Sequence, residues 1–387
     1  MFLERLLKTN EPLISAAFDM QQHGVILPDT YILDLDMITR NAEAMKKEAD
    51  SYGIKLYFML KQLGRNPLVA KRIQEIGFAG AVCVDFREAL TMKENGIRLG
   101  NVGHLVQTPW AAMDEIVSAR PDIMTVYSVE KAKEIGKAAT RQGFVQPIML
   151  RVLGKDDDLY PGQYGGFPLE GLDSVAEEIE GIDGVRIAGV CSFPCLLYSD
   201  ETHEVMPMPN AETVKQAAKM LEERGYKDLE LNMPSVSCTA TIPEVAKLGG
   251  THMEPGHGLT GTTPYHRDHD AVEGIGYVYV SEVSHNLGSK GYCYGGGHYR
   301  RSHVAGALVG TSTSDMKTVH VTPPTDESID YHFELSEPCH IDDCVLMCFR
   351  TQIFVTRSEV AVVSGISTGA PKLEGIYDSQ GRFLRKE

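Results

Sequence analysis

No apolar run in this chain approaches the roughly 18 residues that a membrane-spanning helix needs. Tryptophan occurs once, and no two of the eight cysteines form a Cys-x-x-Cys pair. Positive charge is in deficit, with 37 Lys and Arg against 53 Asp and Glu, a net charge of −16. Each shortage excludes something. Without a long apolar run, no membrane partner is expected. Without excess positive charge, nucleic acid and anionic lipid surfaces are poor partners, because both are held through neutralised phosphates. Without paired cysteines, a zinc ribbon or a disulfide scaffold has no framework, so the cysteines are expected to be reduced and buried in a cytoplasmic protein. The opening "MFLERLLKTNEPLISAAFDMQQHG" mixes acids into its apolar positions and reads as one or two amphipathic helices, not a signal peptide.

What is present fits a sizeable globular protein. The chain has 387 residues, of which 43% are hydrophobic and 23% charged. Between residues 55 and 256, apolar runs such as "KLYFML", "GAVCVD" and "VRIAGVCSFP" alternate with helical patterns such as "VEKAKEIGKAATRQG". Apolar positions in the helical patterns recur at three and four, and several end in Gly. Continuous apolar strands between helices predict parallel strands buried on both faces. Eight such strands are expected, most repeating after 20 to 25 residues. That matches a (β/α)8 barrel, with a doubly wound sheet as the alternative. From about residue 270 the runs "EGIGYVYVSEVSH", "CVLMCFRTQIFVTR" and "EVAVVSG" are β-branched and aromatic without helical stretches, which predicts an all-β domain. The expected division is a helical extension over 1–28, a barrel over 29–268 and a β domain over 269–387.

Three places carry residues suited to chemistry. In "KLYFMLKQLGRNP", five apolar or aromatic residues run up to Lys61. Such a lysine either snorkels to solvent or, at the C-terminal mouth of a barrel, is an amine whose proton affinity the apolar wall lowers. After the seventh strand, "NMPSVSCTAT" offers Ser235, Ser237 and Thr239 at a strand-to-helix turn, a candidate phosphate cradle. After the eighth, "EPGHGLTGT" places Glu254 beside Gly256 and Gly258, where a backbone can approach a ligand closely. The acids and histidine of "EPCHIDDC" (Glu337, Cys339, His340, Asp342, Asp343) read as a surface loop and not as a metal site.

These motifs, taken in order, resemble the fold-type III pyridoxal-phosphate enzymes, the alanine racemase and ornithine decarboxylase superfamily. "TYILDLDMITRNAEAM", with Asn41 on its helix, resembles the start of that family's barrel. "YFMLKQLG" is similar to its cofactor-lysine strand, "EPGHGLTG" to the decarboxylases' Glu-Pro-Gly strand end, and "YCYGGGHYRR" to the glycine-rich strand of the racemases' C-terminal domain. The pattern resembles the YhfX group of alanine-racemase-like proteins, and it runs over most of the chain.

The resemblance implies pyridoxal 5'-phosphate as cofactor and Lys61 as the residue that carries it. Glu254 would face the pyridine nitrogen, where the racemases have an arginine. The phosphate would lie between Ser235, Ser237 and Thr239 and the backbone of Gly256, His257 and Gly258. Arg65 stands where the racemases have a phosphate-touching tyrosine. Ser192 or Phe193 in "CSFPC" would cover the ring where many members have histidine. His285 is the nearest candidate for the second catalytic base, and the family's architecture implies a homodimer with shared active sites. The function implied is an amino-acid racemase or epimerase acting on a small amino acid. The alternatives are a decarboxylase or D-amino-acid lyase of the same fold, or a protein that binds the cofactor without turnover.

Overall fold

The segment Ile123–Val126 shows why a barrel forms. All four residues are buried, so the strand has no polar face to turn to water. Strands like it must pack on both sides. In the computed structural model, which describes residues 2–386, they do so by closing a parallel ring. The strands are Lys55–Leu56 with Phe58–Met59, then Ala81–Cys83, Leu99–Val102, Ile123–Val126, Gln146–Leu153, Val185–Cys191, Glu230–Asn232 and His252–Met253. Neighbours along this order pair in parallel, and Met253 pairs with Leu56 while Phe58 pairs with Ala81. The two pieces on either side of Tyr57 therefore join the ends of the sheet. That closure excludes the doubly wound alternative.

The helices between strands start where side chains satisfy free amides. The Asp85 side chain accepts from the Glu88 amide at the start of Phe86–Glu94, and the Ser128 side chain from the Lys131 amide at the start of Val129–Arg141. Inside the ring, Tyr57 is fully buried, stacks on His252 at 5.5 Å and donates its hydroxyl to Glu230 Oε2 at 3.1 Å. Gly100 makes room for it. A Cβ there would lie 2.3 Å from the Tyr57 ring. This barrel unit comprises Ala44–Leu60 and Ala70–Gly256.

The second unit, here the β unit, gathers residues up to 43, residues 61–69 and the chain from 257 onward. Its ten-stranded sheet is mainly antiparallel. The strand Thr30–Asp34 differs from the sequence expectation. Its resemblance to the start of a barrel places it in the ring, but it lies inside the second sheet. It pairs antiparallel with Tyr277–Leu287 and parallel with Glu359–Ser364. All five of its residues are buried, and only a strand with partners on both edges satisfies its backbone there.

The N-terminal helices Phe2–Thr9 and Glu11–Gln22 cover this sheet. Leu6, Leu13, Ile14, Ala17 and Phe18 join Val278, Val280, Leu346 and Ala361 in one apolar core. Asn10 ties the helices to the sheet through Asp34 Oδ2 at 2.8 Å and the Ile275 carbonyl at 2.9 Å. All eight cysteines are buried and free. No helix among the described residues is long and apolar enough to cross a membrane. Among those residues no group of three or more His, Cys, Asp and Glu is placed to hold a metal ion.

Phe18 is 2% exposed in that core. Phe18→Ala should cost about 3–5 kcal/mol, through lost burial and the cavity left behind. Urea unfolding followed by circular dichroism measures it. A midpoint unchanged from wild type would mean that the helix does not hold the sheet.

Candidate active site

Glu254 follows the last barrel strand, and its side chain is 1% exposed. A carboxylate this deep needs donors. Oε1 has two, Asn232 Nδ2 at 2.6 Å and Asn101 Nδ2 at 3.0 Å. Thr125 donates its hydroxyl to Asn101 Oδ1 at 2.8 Å, which fixes the amide with its nitrogen toward Glu254. Oε2 is buried and has no hydrogen-bond partner among the described residues. His104 Nε2 stands 3.7 Å from it, beyond hydrogen-bond reach. A buried carboxylate oxygen without a donor is able to accept one from a ligand.

The walls around this carboxylate are aromatic and polar. Phe193 meets His104 edge-on at 5.7 Å and Tyr160 at 5.4 Å. Ser192 points elsewhere, donating to Asp157 Oδ2 at 3.1 Å and accepting from Asn210 Nδ2 at 3.0 Å. Of these two neighbours, Phe193 is the one that packs among the aromatic rings. Arg151 is fully buried, with Nη1 donating to the Tyr127 hydroxyl and Nη2 to the Gln163 carbonyl, both at 2.8 Å. Burial pushes the Cys191 thiol up to about 12 against the opposing pull of Arg151, so it remains a neutral wall and not a nucleophile.

The turn after the seventh strand is strained. Ser235 has φ of 127° and Val236 has φ of 46°, a left-handed conformation that costs a β-branched residue most. Thr241 holds the turn, donating to the Val236 carbonyl at 2.7 Å and accepting from the Cys238 amide at 3.0 Å. The strain leaves the Ser237 hydroxyl buried with no partner among the described residues. Thr239 opens the short helix Thr239–Thr241 that follows. The barrel unit thus holds an orphaned acceptor, Glu254 Oε2, and an orphaned hydroxyl, Ser237 Oγ.

In the β unit, Lys61 is half-buried and opens the short helix Lys61–Leu63 directly after the buried Leu60. Gly64 and Arg65 then reverse the chain with φ of 61° and 53°. Asn66 Oδ1 accepts from the amides of Leu68 and Val69, starting the next helix. The Arg65 guanidinium lies 5.0 Å from the Phe354 ring centre and donates to Gln380 Oε1 at 2.7 Å. Gly256 and Gly258, on either side of His257, are buried.

His257 Nε2 accepts from Arg350 Nε at 3.1 Å, which leaves the proton on Nδ1, 3.1 Å from the Thr262 hydroxyl. Burial holds its pKa well below the ordinary value, and Arg350, Lys61, His266 and Arg301 add to that effect, so the ring stays neutral. His285 is a surface residue of its own chain. It is exposed on Tyr277–Leu287, stacked on Tyr292 at 4.9 Å and edge-on to His332 at 5.0 Å.

Sequence reasoning missed Asn101, His104, Thr125, Arg151 and Asn232 in the barrel unit, and Arg350 and Gln352 in the β unit. The barrel residues carried a readable signal. Each is a polar side chain in or just after a strand otherwise apolar on both faces, as in "LELNMPS" and "IMLRVLG". Such a residue must find a partner inside the ring.

The description "Alanine racemase, N-terminal domain" fits residues 33–264, and "YhfX-like, C-terminal domain" fits residues 278–373. Uncharacterized protein YhfX of Escherichia coli is 42% identical over 385 residues, covering 99% of this chain and 100% of that protein. Three solved structures share the fold at low identity. D-threonine aldolase from Filomicrobium marinum matches with a TM-score of 0.68 at 15% identity, over 92% of this chain and 95% of its own. Alanine racemase from Clostridium difficile, in complex with cycloserine, matches at 0.66 and 17% identity, over 91% and 99%. D-threo-3-hydroxyaspartate dehydratase from a Delftia species matches at 0.67 and 15% identity, over 90% and 97%. A closed parallel barrel followed in the chain by an antiparallel β domain, matched over more than half its length by one family description and over almost all of it by YhfX, places this protein in the alanine racemase family of fold-type III pyridoxal-phosphate enzymes, close to YhfX.

Proposed function

We propose that this protein is a pyridoxal-phosphate enzyme that inverts the α-carbon of a small amino acid. The observation that carries the reading is Glu254 Oε2, a buried carboxylate oxygen with no hydrogen-bond donor among the described residues, at the end of the eighth barrel strand. The residues present fit the cofactor. Glu254 Oε2 suits the ring N–H, Ser237 Oγ suits a phosphate oxygen, Phe193 offers an aromatic face, and Lys61 is the amine that the family resemblance assigns to the covalent link. When bound, the cofactor supplies an electron sink for negative charge at the substrate's α-carbon.

The roles of this chain's own residues follow. Glu254 favours the protonated pyridine nitrogen, because an opposite charge within hydrogen-bond reach raises that nitrogen's pKa. Asn101 and Asn232 hold the carboxylate in place. Lys61 Nζ holds and moves the proton at one face of the α-carbon. The opposite face needs a second acid or base. His285, exposed in its own chain, takes that role from a partner copy in a two-fold dimer. A lyase or decarboxylase reading stands second. The sequence Glu254–Pro255–Gly256 resembles the decarboxylases, and an aldolase and a dehydratase share the fold.

Incubating the cofactor-loaded protein with D- and L-amino acids, and following optical rotation together with CO2, ammonia and aldehyde release, separates these readings. Stereoinversion without release supports the racemase. Release identifies a lyase or decarboxylase. Spectral change with neither outcome would leave a cofactor-binding protein without turnover. Lys61→Ala should remove the visible absorbance of the loaded protein while leaving its circular dichroism unchanged. A yellow, borohydride-reducible Lys61→Ala protein refutes the assignment. Glu254→Gln should retain the cofactor yet lower turnover by about 10² or more, the loss of about 3 kcal/mol of transition-state stabilisation. Near wild-type turnover would make the carboxylate purely structural.

A further inference from the structure

The three consecutive glycines of "YCYGGGHYRR", Gly295, Gly296 and Gly297, follow the strand Lys290–Tyr294 in the β unit. Each lies against an oxygen of a different side chain. A Cβ on Gly295 would stand 2.7 Å from Asp330 Oδ1, one on Gly296 1.8 Å from Asp29 Oδ2, and one on Gly297 2.9 Å from Ser358 Oγ. Those separations are too short for any other residue, and Gly296 also has φ of 126°. The three side chains come from distant places in the chain. Asp29 and Ser358 immediately precede the strands Thr30–Asp34 and Glu359–Ser364, and Asp330 stands two residues before His332–Leu335. The loop therefore gathers three oxygen-bearing groups where four strand ends meet.

Asp330 is anchored through Oδ2, which accepts from the amides of Gly296 and His298, both at 3.0 Å. Its Oδ1 is buried and has no hydrogen-bond partner among the described residues, and the same holds for Asp29 Oδ1 and Ser358 Oγ. Ser358 is 1% exposed. Burial raises the Asp29 carboxyl to about 6, Ser358 and Arg357 pull it down, and Asp330 and Glu359 push it up. Asp29 thus feels both of the other oxygen-bearing side chains, although Ser358 Oγ stands beside it without the geometry of a hydrogen bond. Three buried oxygens in one place are therefore able to serve a ligand.

The chemistry that answers them is a cation. Ionised carboxylate oxygens only accept, and a hydroxyl oxygen keeps lone pairs for a ligand. Arg357 does not fill the role, because Nη2 donates to the Asp330 carbonyl at 2.5 Å and Nη1 to the Ile329 carbonyl at 3.4 Å. It offsets one of the two carboxylate charges without donating to either carboxylate. Glu359 is matched by Arg385, whose Nη2 lies 2.6 Å from its Oε2. Among the described residues no group of three or more His, Cys, Asp and Glu is placed to hold a transition metal. Oxygen donors with one charge to balance suit a hard cation of single charge. We propose that Asp29, Asp330 and Ser358, gathered on the glycine loop, form a site for a sodium or potassium ion. The ion fastens the start of Thr30–Asp34 to the loop and to two strands from the C-terminal part of the chain, so its binding is felt as stability of the β unit.

The test follows thermal unfolding of the full chain at about pH 8, above the Asp29 value, after dialysis into tetramethylammonium buffer. Sodium, potassium, magnesium, calcium or choline chloride is then added at constant ionic strength. Sodium or potassium chloride should raise the unfolding midpoint above that in choline chloride, and the concentration dependence gives the dissociation constant. Whichever of the two ions acts at the lower concentration is the one the site takes. Asp29→Asn keeps the shape and removes the charge, and should weaken that constant by about tenfold or more. Ser358→Ala removes a neutral oxygen and should weaken it by a smaller factor. Equal midpoints in sodium, potassium and choline chloride overturn the site, and so does a sodium or potassium effect undiminished in Asp29→Asn. Magnesium or calcium acting at lower concentration than either overturns the assignment to a singly charged ion. If Asp29→Asn does not fold, Ser358→Ala decides, and an undiminished effect there overturns the site.

Discussion

One buried charge organises the barrel interior. Removing a carboxylate from water costs several kcal/mol unless polar partners replace the lost hydration. Glu254 meets that requirement on one oxygen only, through amides on the third and seventh strands. Thr125 on the fourth strand orients the first of these amides. Side chains from two strands therefore converge on one atom while a third strand orients one of them, and each constrains the register of its strand. A one-residue slip would turn Asn101 or Asn232 to the opposite face and leave the charge bare. Selection for a half-satisfied carboxylate and selection for the correct strand register are here the same requirement.

Much of this was legible in the sequence because burial on both faces leaves an unmistakable trace. Runs such as "DIMTVYS" and "VRIAGV" admit few readings, and the eight parallel strands follow from them. The end of the first strand was equally clear, because Gly64 and Pro67 interrupt the apolar run just after Lys61. Thr30–Asp34 misled for a physical reason. An apolar strand of five followed by a helix is the same string whether its partners are parallel barrel strands or the antiparallel Tyr277–Leu287, and those partners lie hundreds of residues away. The site was legible at its glycines and at Glu254, where local backbone chemistry speaks. Asn101 and Asn232 show in the sequence as polar residues in apolar strands, but their partner is not legible there, because it depends on what the closed ring sets opposite them. Gln352, outside the barrel strands, carries no such signal. The exposure of His285 depends in the same way on the packing of its sheet.

Glu254 also stands where the resemblance read from the sequence implies an arginine in the racemases. An arginine donates to the ring nitrogen and leaves it unprotonated, whereas a carboxylate accepts and favours the protonated form. The surroundings are consistent with the second arrangement. Both donors to Glu254 are neutral amides, which orient the carboxylate without cancelling its charge. The cationic Arg151 instead spends its hydrogen bonds on a phenol and a carbonyl. Among the described residues of the barrel unit, the fully buried Arg151 guanidinium thus forms no direct ion pair with Glu254.

The placement of Thr30–Asp34 has a consequence for how the protein is made. This strand leaves the ribosome early, yet its two hydrogen-bonding neighbours begin at Tyr277 and Glu359. The barrel strands, by contrast, lie within one almost continuous stretch of chain and acquire their partners in order as synthesis proceeds. At ordinary translation rates of about 5–20 residues per second, a five-residue apolar strand and its two amphipathic helices wait on the order of tens of seconds for a sheet to enter. During that interval their apolar faces are open to other nascent chains and to chaperones. The pairing of Thr30–Asp34 with Glu359–Ser364 forms only late in synthesis, so premature termination anywhere before Glu359 leaves that strand without one of its edges.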